Sequence, residues 1–248
     1  MVVVVTGGTG TLGRHVVAEL RGDHDVRVVS RQSGPGRALA DLSSGQGVRE
    51  AVAGTDVVVH AASDTRRFGK ADEQQVQHLL SALEPGTHVV YVSIVGIDRI
   101  PFRYYRRKLA CEGLITASGR PHTIVRITQF HELIAMALSS VERLPVAPLP
   151  TSFRFQPIAA ADAADVVVDA VRTRPAERAP DAGGPQVLEL GEMAKVWRDV
   201  RGRPRLAFGV PVPGRIGAAL RRGENTVPAN PIGRQTWQDY VRSLGSAR

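Results

Sequence analysis

Between Phe102 and Glu112 the chain reads FRYYRRKLACE, with Tyr104 four residues before Lys108 and Lys108 four before Glu112. On a helix that spacing brings all three side chains to one face. A phenol beside an ammonium is a proton-donating pair. An unperturbed tyrosine titrates near ~10, and a neighbouring positive charge favours the phenolate and lowers that value toward the range useful for acid catalysis. The same letters also describe a basic, solvated turn of helix. Residue usage bears on the choice: 29 of the 32 basic residues are arginine, yet position 108 keeps lysine beside Arg106 and Arg107. Tyr105, three before Lys108, falls on the adjoining surface and reads either as a substrate-pocket aromatic or as helix packing.

A proton donor needs a scaffold, and the preceding hundred residues alternate strand-like and helix-like segments. Val2–Thr6 is a continuous β-branched run of the kind buried on both faces of a sheet. Leu12–Arg21 places Leu12, Val16, Val17 and Leu20 on one helical stripe. Further strands are expected at Val26–Ser30, Asp56–Ala61 and Val89–Ser93, with helices at Val48–Ala53 and Asp72–Leu83. This alternation predicts an α/β fold with a doubly wound parallel sheet, a Rossmann architecture. Downstream, a helix is expected over 104–118, a strand at His122–Ile127 and a helix at Phe130–Arg143. The Pro-rich segment 144–153 reads as a loop. A helix at Ala159–Arg172, a short strand at Val187–Leu190 and a helix at Glu192–Arg201 follow, with helical patches at Ile216–Arg221 and Trp237–Leu244. The expectation is one dinucleotide-binding domain over 1–248, with substrate-side cap elements mainly from 145–248.

The first strand runs directly into TGGTGTLG, residues 6–13, which opens the first helix. Gly7 would turn the chain off the strand, Gly10 would let a pyrophosphate approach, and Gly13 would let helix and strand pack closely. The helix N-terminus at Thr11 and Leu12 then offers unpaired N–H groups and a partial positive charge to phosphate. A strand before and a helix after are the context that makes such a turn a nucleotide site. The second strand ends in VVSRQS. A fold selecting NAD would carry an acid there; Ser30 and Arg31, with Arg37 nearby, suit a 2′-phosphate instead. NADP(H) is therefore the expected cofactor.

The formal charge of +8 and sequence pI of about 10.5 would fit a nucleic-acid partner. The arginines are spread along the whole chain, however, and the densest clusters, RYYRRK and RGRPRL, are short. Neither nucleic acid nor membrane is expected as a partner, since no apolar run approaches the length of a span. The single cysteine, Cys111, excludes an internal disulfide, and no charged leader precedes an apolar segment; both fit a cytoplasmic protein. The seven histidines show no metal-ligand spacing, and neither H-E-x-x-H nor G-x-S-x-G is present. No metal is expected.

Seven phrases together resemble the short-chain dehydrogenase/reductase superfamily, in particular its atypical, NmrA-like branch of NAD(P)H-binding proteins of actinobacterial type. They are TGGTGTLG (6–13), ADL (40–42), AGTDVVVHAAS (53–63), YVSIVGID (91–98), YYRRKLACE (104–112), ITQFHELI (127–134) and FQPIAAADAADVV (155–167). The resemblance implies that Asp41 and Leu42 border the adenine, although an acid in ADLSSG is equally a turn cap. It implies that Ala61, Ala62 and Ser63 line the ribose and pyrophosphate. Thr128, Gln129 and Phe130 would follow a strand end near the nicotinamide, or else pack and cap the next helix. Tyr104 would be the proton donor, with Lys108 lowering its pKa and holding the ribose. The superfamily's usual hydroxyl helper has no obvious counterpart. Ser93 stands nearest, eleven residues before Tyr104, either as that helper displaced or as a strand-end hydroxyl bonded to backbone. The implied activity is NADPH-dependent reduction of a ketone, quinone or enone on a small organic molecule, such as an aromatic secondary metabolite. The alternative is a non-catalytic NADP(H)-sensing regulatory protein. Monomer and homo-oligomer are both left open.

Overall fold

The computed structural model describes residues 1–142, 144, 146–202 and 206–245. Arg143, the expected end of the helix from Phe130, lies outside the described residues, as do residues 203–205 of the cluster RGRPRL. Packing divides the chain into two compact units. The first comprises 1–93, 103–126 and 163–180, and the second 94–102, 127–162 and 181–248.

The first unit opens with β1 (Val2–Thr6), α1 (Gly13–Leu20), β2 (Asp25–Ser30), β3 (Arg37–Leu39), α2 (Val48–Ala51) and β4 (Val57–His60). A short 3₁₀ turn (Thr65–Arg67) precedes α3 (Asp72–Ala82), followed by β5 (His88–Ile94), α4 (Arg103–Ala117) and β6 (His122–Ile127). The chain continues through α5 (His131–Val141), β7 (Val146–Leu149), β8 (Arg154–Phe155), α6 (Ala160–Arg172) and β9 (Glu177–Arg178). Seven strands form a parallel sheet in the order β3-β2-β1-β4-β5-β6-β9. The expected doubly wound α/β fold is therefore present.

Strand order reverses at β1: β2 pairs with it on one side and β4 on the other, with Thr6 opposite both Val29 and His60. In an open parallel sheet, ligands bind in the crevice beyond the carboxyl ends at such a reversal. Val3, Val4 and Val5 are fully buried, each contributing about 1.5–3 kcal/mol of burial. Beneath the reversal, Val4, Val58, Val89 and Tyr91 of the sheet pack with Val76 and Leu79 of α3 and with Cys111 and Ile115 of α4. That packing fixes α4, the helix that carries Tyr104 and Lys108.

The second unit is completed by β10 (Leu188–Glu189), α7 (Leu190–Arg201), β11 (Leu206–Gly209), α8 (Gly214–Arg222) and α9 (Trp237–Gly245). Its core is aromatic: Trp197 and Trp237 stack at 6.1 Å, and His131 stacks on Tyr240 at 4.9 Å. The segment 144–153, expected as a loop, contains β7, which pairs in parallel with β11. Proline is tolerated there because a two-stranded ribbon has only edge strands, where a missing N–H leaves no gap in a ladder. Likewise β3 was not expected, since a three-residue edge strand is too short to show alternation.

Candidate functional site

A cleft of about 1390 Å³ opens at the carboxyl ends of β1, β2 and β4 in the first unit. Its walls include Gly7, Gly10, Ser30, Arg31, Arg37, Asp41, Leu42, Ala61, Ala62 and Ser63. These residues were singled out from four separate stretches of sequence, and the reversal at β1 brings them to one crevice.

The glycine turn fits a bound nucleotide on structural grounds. Gly7 has φ +70°, and a Cβ there would come within 2.7 Å of the Ala62 nitrogen, so only glycine lets the turn lie against the end of β4. A Cβ at Gly13 would overlap the Gly7 carbonyl oxygen, so α1 starts closer to the strand than any side chain permits. Leu12, the N-cap residue, makes no side-chain capping bond. Its side chain is buried, so what it can offer an anion is backbone N–H, to which Thr11 adds its own N–H and a hydroxyl. Thr6, fully buried, holds the floor: its Oγ1 lies 2.7 Å from His60 Nδ1 and accepts from Ala62 N–H at 3.4 Å.

At the β2 side, Ser30 Oγ accepts from the Gln32 N–H at 3.0 Å. Arg31 and Arg37 are exposed on the cleft wall, and neither forms an ion pair among the described residues. Asp41 Oδ1 accepts from the Ser43 N–H at 2.9 Å, which is the turn-cap role; the residue still lines the cleft.

The β4 side holds an arrangement that the sequence did not announce. Ser63 Oγ donates to Asp72 Oδ2 at 2.6 Å and lies 2.9 Å from the Tyr104 hydroxyl. Asp72 is buried at the start of α3, and its Oδ1 also accepts from the Asp64 N–H at 2.7 Å. Gly69, with φ +71°, leaves its missing Cβ about 3.0 Å from the Tyr104 ring. The segment between β4 and α3 thus wraps both ring and hydroxyl. Asp72 was placed by sequence only as the start of a helix; an acid at a first turn is so ordinary that nothing marked it out.

Lys108 differs from expectation. Its Nζ donates to the Val92 carbonyl at 2.8 Å and sits 4.1 Å above the Tyr91 ring. Burial lowers its pKa, opposed by the nearby Asp72, Cys111 and Glu112. The expected lowering of the Tyr104 pKa is not what this geometry produces. Burial pushes the phenol up to about 12, and the charge of Asp72 adds to the rise. Glu112, third on the helical face, is drawn into a buried bidentate pair with Arg126 at 2.9 and 2.6 Å.

Ser93 is buried, and its Oγ has no hydrogen-bond partner among the described residues, so the backbone-bonded alternative does not apply. The strand runs to Ile94, one residue beyond its expected end. Strand alternation places Ser93 on the face of Tyr91, the face that α4 covers. In the second unit, Thr128 Oγ1 donates to the Gln156 carbonyl at 2.6 Å, Gln129 Oε1 accepts from Asn225 Nδ2 at 3.2 Å, and Phe130 is the N-cap residue of α5. Among the described residues, no group of three or more His, Cys, Asp or Glu is arranged to hold a metal. No described helix is long and apolar enough to cross a membrane.

A parallel sheet whose reversal carries a glycine turn, with a helix N-terminus facing the crevice, defines a dinucleotide-binding α/β protein. The chain belongs to the NAD(P)H-binding family, whose pattern it matches over residues 7–174. Among curated proteins it is similar to the chloroplastic divinyl chlorophyllide a 8-vinyl-reductase of Oryza sativa subsp. indica, 28% identical over 172 residues. That match covers 56% of this chain and 42% of the relative, so the chain spans less than half of the relative's length. In fold it resembles the NADPH-dependent quinone oxidoreductase of Escherichia coli in complex with NADPH. There the TM-score is 0.80 at 15% identity, over 98% of this chain and 99% of that one. It also resembles a nucleoside-diphosphate-sugar epimerase of Staphylococcus aureus, with TM-score 0.78 at 18% identity, over 98% and 100% of the two chains.

Proposed function

We propose that the chain is an NADPH-dependent reductase of the atypical short-chain, NmrA-like type, acting on a ketone, quinone or enone of a small organic molecule. The observation that carries this reading is the Tyr104 hydroxyl, 2.9 Å from a serine on the wall of the dinucleotide cleft. In this reading Gly7, Gly10, Thr11, Leu12 and Gly13 receive the pyrophosphate. Ser30, Arg31 and Arg37 take the 2′-phosphate, and Asp41 and Leu42 border the adenine. Ala61, Ala62 and Ser63 line the ribose side. Lys108 has three N–H donors and gives one to Val92, which leaves two for ribose hydroxyls. The bound dihydronicotinamide supplies the hydride. Tyr104 delivers a proton to the substrate oxygen, and the unpartnered Ser93 hydroxyl bonds the same oxygen. Tyr105 and Phe130 are proposed as substrate-side aromatics. Gln129, its oxygen engaged by Asn225, is proposed to position the start of α5.

The sequence likeness to the vinyl-reductase supports a reductase; the fold is shared by the quinone oxidoreductase and the epimerase alike. One observation favours a second reading, a nucleotide-sensing protein without turnover. The phenol stands at about 12 with Lys108 turned to a carbonyl, so the pair as placed is a weak acid–ammonium couple. The two readings separate on one assay. Protein incubated with NADPH and a panel of quinones and polycyclic ketones should consume the reduced-nicotinamide absorbance with at least one of them. NADPH binding with no turnover across the panel would sink the reductase and leave the sensor.

A further inference from the structure

Away from the end of β5, a second hydroxyl, that of Ser63, lies against the tyrosine. Ser63 has one proton to give, and the 2.6 Å contact to Asp72 Oδ2 commits it to a carboxylate, which can only accept. The Tyr104 hydroxyl, 2.9 Å away on the other side of the same oxygen, must then be the donor in its own bond. We propose that Asp72 is the positioning residue of this site: by taking the Ser63 proton it makes Ser63 an acceptor and holds the Tyr104 hydroxyl as a proton-loaded donor to a serine of the cleft wall. The inference deepens the reading of Tyr104 as the acid and rests on it.

Several features make this a built arrangement. Asp72 is only 2% exposed, and both of its oxygens are occupied, one by Ser63 and one by the Asp64 N–H. The left-handed Gly69 lets the backbone between them close onto the tyrosine ring. Ser63 belongs both to this chain of bonds and to the cleft lining. A ligand that turns Ser63 would therefore release the tyrosine hydroxyl. The other titratable groups acting on the phenol are Tyr105 and Cys111 of α4 itself and Tyr91 of β5. None of these can set the direction of the Ser63 proton.

The test reverses the polarity of the chain. Asp72→Asn keeps an oxygen for the Asp64 N–H and presents an amide N–H to Ser63, whose own proton then turns to the tyrosine oxygen and favours the phenolate. With ¹³Cζ-tyrosine labelling and Tyr104→Phe to assign the resonance, the Tyr104 titration should move down by about one pH unit or more. In a Ser63→Ala background the same substitution should move it far less. An unchanged titration in folded Asp72→Asn protein overturns the proposal, and so does an equal shift with Ser63 absent, since Asp72 would then act by charge alone. If Asp72→Asn does not fold, Ser63→Ala is read at neutral pH. Loss of the bond should displace the Tyr104 ¹³Cζ signal, and an unmoved signal overturns the proposal. All of these readings are made without cofactor or substrate, so they stand apart from the turnover assay.

Discussion

The two units put their polar groups to different uses. In the second, several buried polar side chains tie separate segments of the chain together. Gln156 donates to the carbonyls of Gly184 and Val227 and accepts from the Val227 N–H, while Asn225 binds Gln129 and the Arg154 carbonyl. Asp162 takes the Arg234 and Gln235 N–H groups. In the first unit, the cleft wall presents Arg31 and Arg37, which form no ion pair among the described residues, while α1 starts without a side-chain cap and the buried Ser93 hydroxyl at the end of β5 has no described partner. Leaving the Ser93 hydroxyl buried and unpaired costs stability. The contrast is between polar atoms that tie segments together, the closed side, and polar atoms left on an open cleft, the open side.

The largest expected effect lies on the open side. Tyr104→Phe removes one hydroxyl and should lower turnover by roughly 10²–10⁴ while leaving NADPH affinity nearly unchanged. Steady-state kinetics beside a binding titration would check both halves, and intact turnover would remove Tyr104 from the chemistry. On the closed side, Gln156→Ala strands the Gly184 carbonyl and the Val227 N–H. It should cost about 1–3 kcal/mol in denaturant unfolding with no change in dinucleotide binding. Should Gln156→Ala instead impair binding with stability intact, the division between the two regions fails.

A smaller effect is expected with acid. Burial, with Lys108 nearby, brings the His60 pKa down to about 3, and burial together with His122 brings His88 to about 4. An unfolded histidine takes up its proton near ~6.5. Below that pH the unfolded chain binds protons that the folded chain refuses, so stability is full above ~6.5 and falls as pH drops toward the folded values. Melting temperatures taken between pH 7 and 4 should decline. His60→Gln should shallow the decline, and an unaltered slope would mean that the Thr6–His60 pair is not its source.

The fold was legible because its signals are local and repeated. The Val2–Thr6 run, the Gly7–Gly13 turn and the helical stripe of α1 each carry their own physics within a dozen residues. Much of the cleft lining was legible for the same reason, since Gly7, Arg31 and Ala61 each follow a strand directly. The surroundings of Tyr104 were not. Lys108 shares a helical face with Tyr104, but whether its ammonium reaches the phenol or the Val92 carbonyl depends on the placement of β5. The Ser63–Asp72 bond spans a left-handed turn at Gly69 whose closure no period or propensity reports. Proline in 144–153 hid β7, because an edge ribbon permits what a central strand forbids.

The central claim is that the open wall receives a 2′-phosphorylated dinucleotide. It is met most directly by titrating NADPH and NADH into the wild-type chain and into Arg31→Ala. The account predicts tighter binding of NADPH by the wild type, and a loss in the variant that falls on NADPH and spares NADH. Equal affinity for the two, or an equal loss of both, would contradict it.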